Sequence, residues 1–324
     1  MLCAAATLAL AGTGVPLLAQ PAWPNRPLRL VVPYPPGGAT DVIGRIVATR
    51  LSAALQQQVV VDNKGGAGGN VGAGEAARAA PDGYTLLMGA MTAHSTMMTL
   101  EKGRLKYDLV KDFRLTHTIG YVPLVFVVNP AVPVNSFQEL VAYAEASPHK
   151  LSYASSGAAA PQRLAAEIFR RHVGVELLHV PYKGSGPAMT DLVGGQVQMM
   201  AETVPAALQF IKSGKLRALA VTTPQRISLL PEVPTIAESV GWADAEVVST
   251  FGVLVPTATP ESVVLRLNRE IGTMLQSPEV RAQLLQQGVY AAPPQTLPQA
   301  AQRLREEVVR WEKVIRETGI KADE

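Results

Sequence analysis

The stretch LRLVVPYPPGGATD, residues 28–41, joins a short apolar run to a turn rich in proline and glycine and then to a polar pair. Residues 28–34 have the composition of a strand, with two adjacent valines. Apolar residues then recur at helical spacing from Val42 to Leu55. The opening unit is therefore predicted to be a strand, a loop and a helix.

The same alternation continues through most of the chain. Further strands are predicted at residues 59–61, 84–88, 124–128, 151–154, 176–180, 216–221 and 247–255. Helices are predicted at residues 136–146, 162–172, 186–194 and 204–213, and after Pro260 at 261–275, 278–287 and 298–318. Strands separated by helices are typical of the α/β class. We therefore expect mixed, mainly parallel sheets with flanking helices and a C-terminal helical segment.

Length and composition favour a globular protein of two lobes. The chain has 324 residues, of which 48% are hydrophobic and 17% charged. The net charge is +3 and neither sign forms a long block, so nucleic acid is not an expected partner. Prolines cluster at residues 123–133 and 231–256, which places the lobe boundaries near residues 122 and 248. One lobe is then 23–122 with 249–324, and the other is 123–248.

The N-terminal segment predicts export from the cytoplasm. No charged residue precedes Arg26, and residues 2–18 are mostly apolar and small. This pattern is typical of a secretory signal, assigned here to residues 1–22. Because the segment lacks a basic start, an uncleaved anchor of roughly 20 residues is the alternative. Cys3 is the only cysteine, so cleavage would leave a protein without thiols or disulfides.

Enzyme motifs are largely absent from the sequence. The five histidines form no metal-binding spacing, and there is neither a GxSxG elbow nor a GxxxxGK loop. Residues 72–77, GAGEAA, fit the dinucleotide pattern GxGxxA, but they do not lie at a strand-to-helix turn. Lys183 could act as a catalytic amine, but no partner that would lower its pKa is recognisable, which favours a structural or electrostatic role. We expect no catalytic residues, no metal and no cofactor.

Two loops have the composition of anion cradles. In residues 35–41 the adjacent Gly37 and Gly38 leave the backbone open where a helix begins, and unpaired amides of a first helical turn suit a carboxylate or a phosphate. The alternative is a tight turn in which Thr40 and Asp41 only cap the helix. Residues 155–160, SSGAAA, form a similar loop between a strand and a helix. Facing loops in two lobes would enclose a small anion in a cleft.

A family resemblance rests on ordered motifs. These are WPxRPLRLVVPYPPGGxTD at residues 23–41, VVVDN at 59–63, GAGG at 66–69, PDGYTL at 81–86, HVPYKG at 179–184 and LAVT at 219–222. From residue 23 to the C-terminus the chain resembles the Bug-type substrate-binding proteins of tripartite tricarboxylate transporters. The resemblance implies a periplasmic two-lobe protein of the Venus flytrap kind, type II-like, in which the C-terminal segment returns to the first lobe.

The resemblance also implies the function and the partners. The protein would be a monomer that captures a small organic carboxylate for membrane transporter subunits or for a sensor kinase. A lyase or hydrolase using the same cleft is the alternative. Carried over residue by residue, the predicted ligand-binding residues are Tyr34, Pro36, Gly37, Gly38, Ala39, Thr40, Asp41, Thr92, Ala93, Ser155, Ser156, Gly157, Ala158, Ala159, Arg163, Tyr182 and Glu202.

Departures from the family pattern leave the ligand open among dicarboxylates, citrate-like acids, amino acids and aromatic acids. Ala159 and Ala160 stand where the family commonly has Gly and Ser, and Thr250 where it often has Trp. Arg163 replaces a family His, and it is expected either to attract a second carboxylate or to face solvent and pair with Glu167. Asp41 is expected either to cap its helix or to receive a ligand ammonium or hydroxyl group.

Overall fold

The computed structural model describes residues 23–322, so the predicted signal segment 1–22 and Cys3 lie outside the described residues. Its strands are β1 Leu28–Val32, β2 Val59–Asn63, β3 Thr85–Ala90, β4 Phe113–Val128, β5 Ser152–Ser155, β6 Leu178–Pro181, β7 Met199–Thr203, β8 Arg217–Val221, β9 Val248–Pro256 and β10 Tyr290–Ala291. Its α-helices are α1 Ala39–Leu55, α2 Asn70–Ala77, α3 Met91–Leu100, α4 Phe137–Ala146, α5 Pro161–Val173, α6 Ser185–Val193, α7 Val204–Lys212, α8 Ile236–Val240, α9 Glu261–Gln276, α10 Pro278–Gln286 and α11 Leu297–Thr318. The predicted alternation of strands and helices is confirmed.

Two sheets share the long strand β4, and each sheet is the centre of one lobe. The first sheet has the order β2-β1-β3-β9-β4, with β10 on the other side of β4. The second sheet is built on the C-terminal part of β4, which lies between β7 and β8, and continues through β5 to β6. The predicted α/β fold of two lobes is confirmed.

The sheets are more antiparallel than we predicted. β1 pairs in parallel with β2 and β3, and β5 pairs in parallel with β6 and β7. All pairs made by β4 are antiparallel, and so is the pair of β3 and β9. The reason is that β4 runs directly from one lobe to the other and β9 lies beside it in the opposite direction, with no crossover helix between neighbours.

The two crossing strands meet where the lobes join. Val122 of β4 pairs with Ser249 of β9, and Pro123 pairs with Val248. These are the positions at which the proline pattern placed the lobe boundaries, and the division of the chain at these residues stays a prediction.

The lobes have separate apolar cores, with one helix common to both. In the first lobe, Ile43 of α1 and Leu267 of α9 are fully buried in a cluster with residues of β1, β3 and β9. In the second lobe, the rings of Phe126 and Phe137 pack edge to face with centroids 5.2 Å apart. Helix α11 buries Leu304 in a first-lobe cluster and Trp311 in the second-lobe core. The C-terminal helix therefore spans the junction between the lobes.

Candidate functional site

The first loop, residues 35–41, presents unused backbone amides to the space between the lobes. Helix α1 begins at Ala39, and its N-cap residue Gly38 has no side chain with which to bond the first turn. No hydrogen bond among the described residues uses the amides of Gly38, Ala39 or Thr40. A Cβ atom built on Gly37 or Gly38 would meet no atom within 4 Å. The loop is therefore open to a ligand on the side of the helix N-terminus.

Asp41 stabilises the conformation of the first loop through side-chain hydrogen bonds. Its Oδ2 accepts hydrogen bonds from the Gly37 amide and from Arg45 Nε, both at 2.9 Å, and its Oδ1 accepts one from Asn63 Nδ2 at 2.9 Å. Burial opposes ionisation, but these hydrogen bonds outweigh it and hold the pKa of Asp41 below its ordinary value. Asp41 is 2% exposed and is not among the residues that line the cavity, so a ligand contact at this residue stays a prediction.

The second loop, residues 155–160, has the same design. Helix α5 begins at Pro161, and the N-cap residue Ala160 offers no side-chain cap. The amides of Ser156, Ala158 and Ala159 take part in no hydrogen bond among residues 23–322. Gly157 has a φ of 140°, a conformation that side-chain-bearing residues rarely adopt, and a Cβ atom there would also meet open space.

A third wall comes from the start of α3. The side chain of Thr92 is 1% exposed, and its hydroxyl lies 2.9 Å from the carbonyl oxygen of Val248 and 2.9 Å from Glu307 Oε1. Thr92 and Ala93 line the same cavity as both loops. The cavity wall is therefore tied to the crossing strand β9 and to α11.

One cavity of about 860 Å³ lies between the lobes and collects most of the predicted residues. The predicted residues that line it are Tyr34, Gly37, Gly38, Ala39, Thr40, Thr92, Ala93, Ser156, Gly157, Ala158, Ala159 and Tyr182. Pro36, Asp41, Ser155, Arg163 and Glu202 are not among the lining residues. Twelve of the seventeen predicted residues therefore share this cavity.

Three of the residues outside the cavity lining are Pro36, Ser155 and Glu202. Pro36 is exposed on the first loop. Ser155 is fully buried, and its Oγ lies 2.7 Å from His179 Nε2. Glu202 is fully buried beneath the cavity wall and bonds to Gln162. The side chains of Ser155 and Glu202 therefore bond within the second lobe, and ligand contacts at these three residues stay predictions.

Arg163 is buried near the start of α5 and does not extend into solvent. Its side chain is 8% exposed, so a solvent-facing arginine is wrong, and it does not line the cavity, so a direct contact with a second carboxylate is not supported either. Its Nη1 lies 3.4 Å from the carbonyl oxygen of Ala158, behind the second loop. Glu167 forms an ion pair with Arg170 at 2.7 Å and accepts a hydrogen bond from the Tyr153 hydroxyl.

The structure adds lining residues that were not among the predicted ligand contacts. The polar ones are Gln162, Lys183, Ser185, Thr203, Ser249, Thr250 and Gln287. Of the described lining residues, Lys183 alone carries a charge, so the charged group at the wall favours an anionic ligand. A usable signal was present for Gln162, which lies two residues after the second loop in a predicted helix.

The rest of the wall is apolar. Val42, Ile43, Met97, Val122 and Phe251 line the cavity beside the first loop. A ligand with a hydrocarbon body would bury apolar surface here while its anionic group meets the loop amides.

A buried histidine stands behind Tyr34. The ring of His94 stacks on that of Tyr34 with centroids 6.4 Å apart and meets Tyr107 edge to face at 6.4 Å. Burial lowers the pKa of His94 to about 4, so the ring is neutral at pH 7. The Tyr34 hydroxyl donates to the carbonyl oxygen of Gly68 at 3.0 Å, which fixes the phenol ring at the cavity edge.

Two α/β lobes that share crossing strands and enclose a cleft between glycine-bearing loops define the periplasmic binding protein class. The model of the tripartite tricarboxylate transporter family receptor matches residues 43–320. The chain therefore belongs to this family of periplasmic solute receptors, as the sequence motifs predicted.

Individual relatives agree with this assignment along almost the whole chain. The chain is 38% identical to Protein BugT of Bordetella pertussis over 317 residues, covering 97% of this chain and 95% of BugT. It is 40% identical over 308 residues to the UPF0065 protein in the tcbD-tcbE intergenic region of Pseudomonas sp. strain P51, covering 94% of this chain and 89% of that protein.

Solved structures show the same fold. R. palustris Rpa4515 with adipate has a TM-score of 0.83 at 35% identity, covering 93% of this chain and 100% of that chain. MatC (Rpa3494) from Rhodopseudomonas palustris with bound malate has a TM-score of 0.77 at 30% identity, covering 90% and 100%. Within residues 23–322, no helix is both long and apolar enough to cross a bilayer.

Proposed function

We propose that the protein binds a small organic acid in the cleft, with a carboxylate held between the amides of the first and second loops. The observation that carries the proposal is that two sets of unused amides, one at the N-terminus of α1 and one in the loop before α5, open into the same cavity. Each set offers N–H donors in a place where a helix dipole favours negative charge.

Dicarboxylates are the first candidates for the ligand. Relatives at 35% and 30% identity were solved with adipate and with malate. In this chain, the apolar residues beside the first loop suit a hydrocarbon body, and Lys183 supplies the cationic side chain of the cavity wall for a second carboxylate.

The lobes would close on the ligand about the crossing strands. The proposed division is residues 23–122 with 249–324 against 123–248, so that the hinge lies at the pairs Val122–Ser249 and Pro123–Val248. A ligand that touches both loops binds the closed form more tightly and shifts the population towards it. The protein would be exported by residues 1–22 and would act as a monomer that delivers its ligand to the membrane subunits of a tripartite tricarboxylate transporter, or reports it to a sensor kinase.

A catalytic use of the cleft has one candidate pair, and its position argues against it. Ser155 Oγ lies 2.7 Å from His179 Nε2, which is the spacing of a nucleophile and its base. Ser155 is 0% exposed and does not line the cavity, so its hydroxyl does not face a bound substrate. A receptor fits this geometry better than a hydrolase.

The test is calorimetric titration of the purified protein with succinate, malate, adipate, citrate and benzoate, each beside its neutral amide. We expect at least one acid to bind, and its amide to bind at least about tenfold more weakly, because the loop amides and Lys183 recognise the charge. Equal binding of acid and amide, or no binding by any acid, would contradict the proposal. Native mass spectrometry of freshly purified protein would identify a retained ligand directly.

A further inference from the structure

Gln162 lies at the cavity wall, and its amide nitrogen bonds to Glu202 and Ser185. The residue is the second of α5, is 4% exposed, and lines the cavity next to the second loop. Its Nε2 donates to Glu202 Oε1 at 3.0 Å and to Ser185 Oγ at 3.3 Å. No hydrogen bond among residues 23–322 uses its carbonyl oxygen Oε1.

The orientation of this amide is fixed by Glu202. Oε1 of Glu202 also accepts the backbone N–H of Thr203 at 2.6 Å. Since a backbone N–H can only donate, Oε1 of Glu202 must be an acceptor, and Gln162 must present an N–H to it and not its carbonyl oxygen. The assignment requires that Oε1 carries no proton of its own; an ionised carboxylate meets this requirement, and so does a carboxyl group protonated on Oε2.

Glu202 itself is built into the second lobe and is not a ligand contact. It is 0% exposed, near the end of β7, and pairs across the sheet with Val125. Burial raises the pKa of the carboxyl group. Burying a carboxyl group among neutral hydrogen-bond donors costs folding free energy. This cost suggests that Glu202 has a role in the adjacent cavity.

We propose that Glu202 is a positioning residue that turns the carbonyl oxygen of Gln162 into the cavity, and that this oxygen selects organic acids carrying a hydroxyl or amino group near the carboxylate. The inference rests on the proposed function and names its ligand class. A ligand whose hydroxyl or amino group donates a hydrogen bond to this oxygen should bind more tightly. The same acid without that group would leave the oxygen without a partner and should bind more weakly.

The first experiment needs no ligand. The side-chain amide of Gln162 is assigned in the ¹⁵N–¹H spectrum by its loss in Gln162→Met, and its exchange with water is compared with that of the exposed Gln286. We expect exchange at least about tenfold slower for Gln162, since both of its N–H groups are bonded. In Glu202→Met the protection should fall towards the value of Gln286, and in Glu202→Gln, which keeps a carbonyl acceptor, it should persist. Equal exchange of Gln162 and Gln286 in the wild type would overturn the proposal.

The second experiment measures selectivity with two matched pairs, succinate with malate and adipate with 2-hydroxyadipate. The wild type should prefer the hydroxy acid of at least one pair by about three- to tenfold, and Glu202→Met should bring that ratio close to one. Glu202→Gln, which keeps a carbonyl acceptor for Gln162, should restore the ratio.

The outcomes separate this inference from the proposed function. A wild type that binds the acids without preferring the hydroxylated member of either pair overturns the inference and leaves the carboxylate receptor standing. If none of these acids binds, the receptor proposal is weakened, while the amide exchange of Gln162 still decides whether Glu202 positions it. A Glu202→Met variant that binds with the wild-type ratio also overturns the inference, because a merely structural acid would change both affinities together.

Discussion

The hydroxyl of Thr92 lies 2.9 Å from Glu307 Oε1 on the C-terminal helix and accepts the backbone N–H of Thr250 at 3.1 Å. Glu307 Oε1 in turn accepts the indole N–H of Trp311 at 2.9 Å, and Trp311 is buried in the second-lobe core. A residue of the cavity wall is therefore linked to the returning strand and to the helix that spans both lobes.

Thr92→Val tests this link. Valine keeps the shape of threonine but leaves the Thr250 amide and the Glu307 carboxylate short of one buried partner, so the free energy of unfolding should fall by about 1–3 kcal/mol. Thr92→Ser retains the hydroxyl and should lose less. Urea unfolding measures both, and a Thr92→Val protein as stable as the wild type would show that the network contributes nothing.

Gly38→Val tests the first loop as a binding surface. A Cβ atom at Gly38 would meet no protein atom within 4 Å, and Gly38 lines the cavity, so we expect the valine to reduce the ligand space while the fold survives. We expect ligand affinity to fall at least about tenfold, or 1.4 kcal/mol. Gly186→Val is the matched control, because a Cβ atom there also meets open space and Gly186 does not line the cavity. Near-native affinity in Gly38→Val would make the loop a turn and not a binding site.

His94 predicts a loss of stability in mild acid. Its pKa is about 4 in the fold and 6.5 ordinarily, so between these values the unfolded chain binds a proton that the folded chain does not. Stability therefore falls as the pH drops from 7 to 5, by about 2 kcal/mol from this group. Urea unfolding measures this effect. The free energy of unfolding of His94→Gln should depend less on pH between 7 and 5 than that of the wild type. His149→Gln, at an exposed position, is the control and should not reduce this dependence. An unchanged pH dependence in His94→Gln would contradict the assignment.

Gly288→Ala tests whether this conformation brings the lobes into contact. Gly288 follows α10 of the first lobe, and a Cβ atom there would lie 2.0 Å from Pro205 Cγ at the start of α7 in the second lobe. We expect weaker ligand binding and a larger radius of gyration by small-angle scattering with ligand present. Gly174→Ala is the matched control. Gly174 has a φ of 71°, against 70° for Gly288, so alanine causes similar backbone strain at both positions. A Cβ atom at Gly174 meets no other atom, so the lobes of this variant should close on the ligand as in the wild type. Identical scattering of the two variants would count against this contact.

The spacing of apolar residues in the sequence predicted those helices and strands that have one buried and one exposed face. Helix α5, predicted at 162–172, spans Pro161–Val173, and the strand predicted at 124–128 is the second-lobe part of β4. The first part of β4 was missed because polar residues such as Thr116 and His117 are buried there, which hides the alternation that marks a half-exposed strand.

Helices α2 and α3 were missed for a related reason. In α3, His94, Ser95 and Thr96 are fully buried by tertiary contacts, so the helix has no polar face to reveal its period. In α2, Gly72 allows close approach to Pro33, where a Cβ atom would lie 2.9 Å from the Pro33 Cα. This packing requirement, and not a phosphate site, accounts for a glycine at this position of α2.

Within the site, backbone features were predictable and side-chain directions were not. The glycine-bearing loops could be read from the order strand, loop and helix. The direction of Asp41 depends on Asn63, 22 residues away, and that of Glu202 on Gln162, 40 residues away. Such pairings arise only when the sheets assemble, so the sequence alone could not give the directions of these two carboxylates.

The most direct test of the central claim is a crystal structure of the protein with the acid that binds best in calorimetry. We predict a carboxylate within hydrogen-bond distance, about 2.7–3.2 Å, of the amides of Ala39 or Thr40 on one side and of Ala158 or Ala159 on the other. A carboxylate bound elsewhere in the cleft, with the amides of both loops left without a ligand contact, would contradict the account.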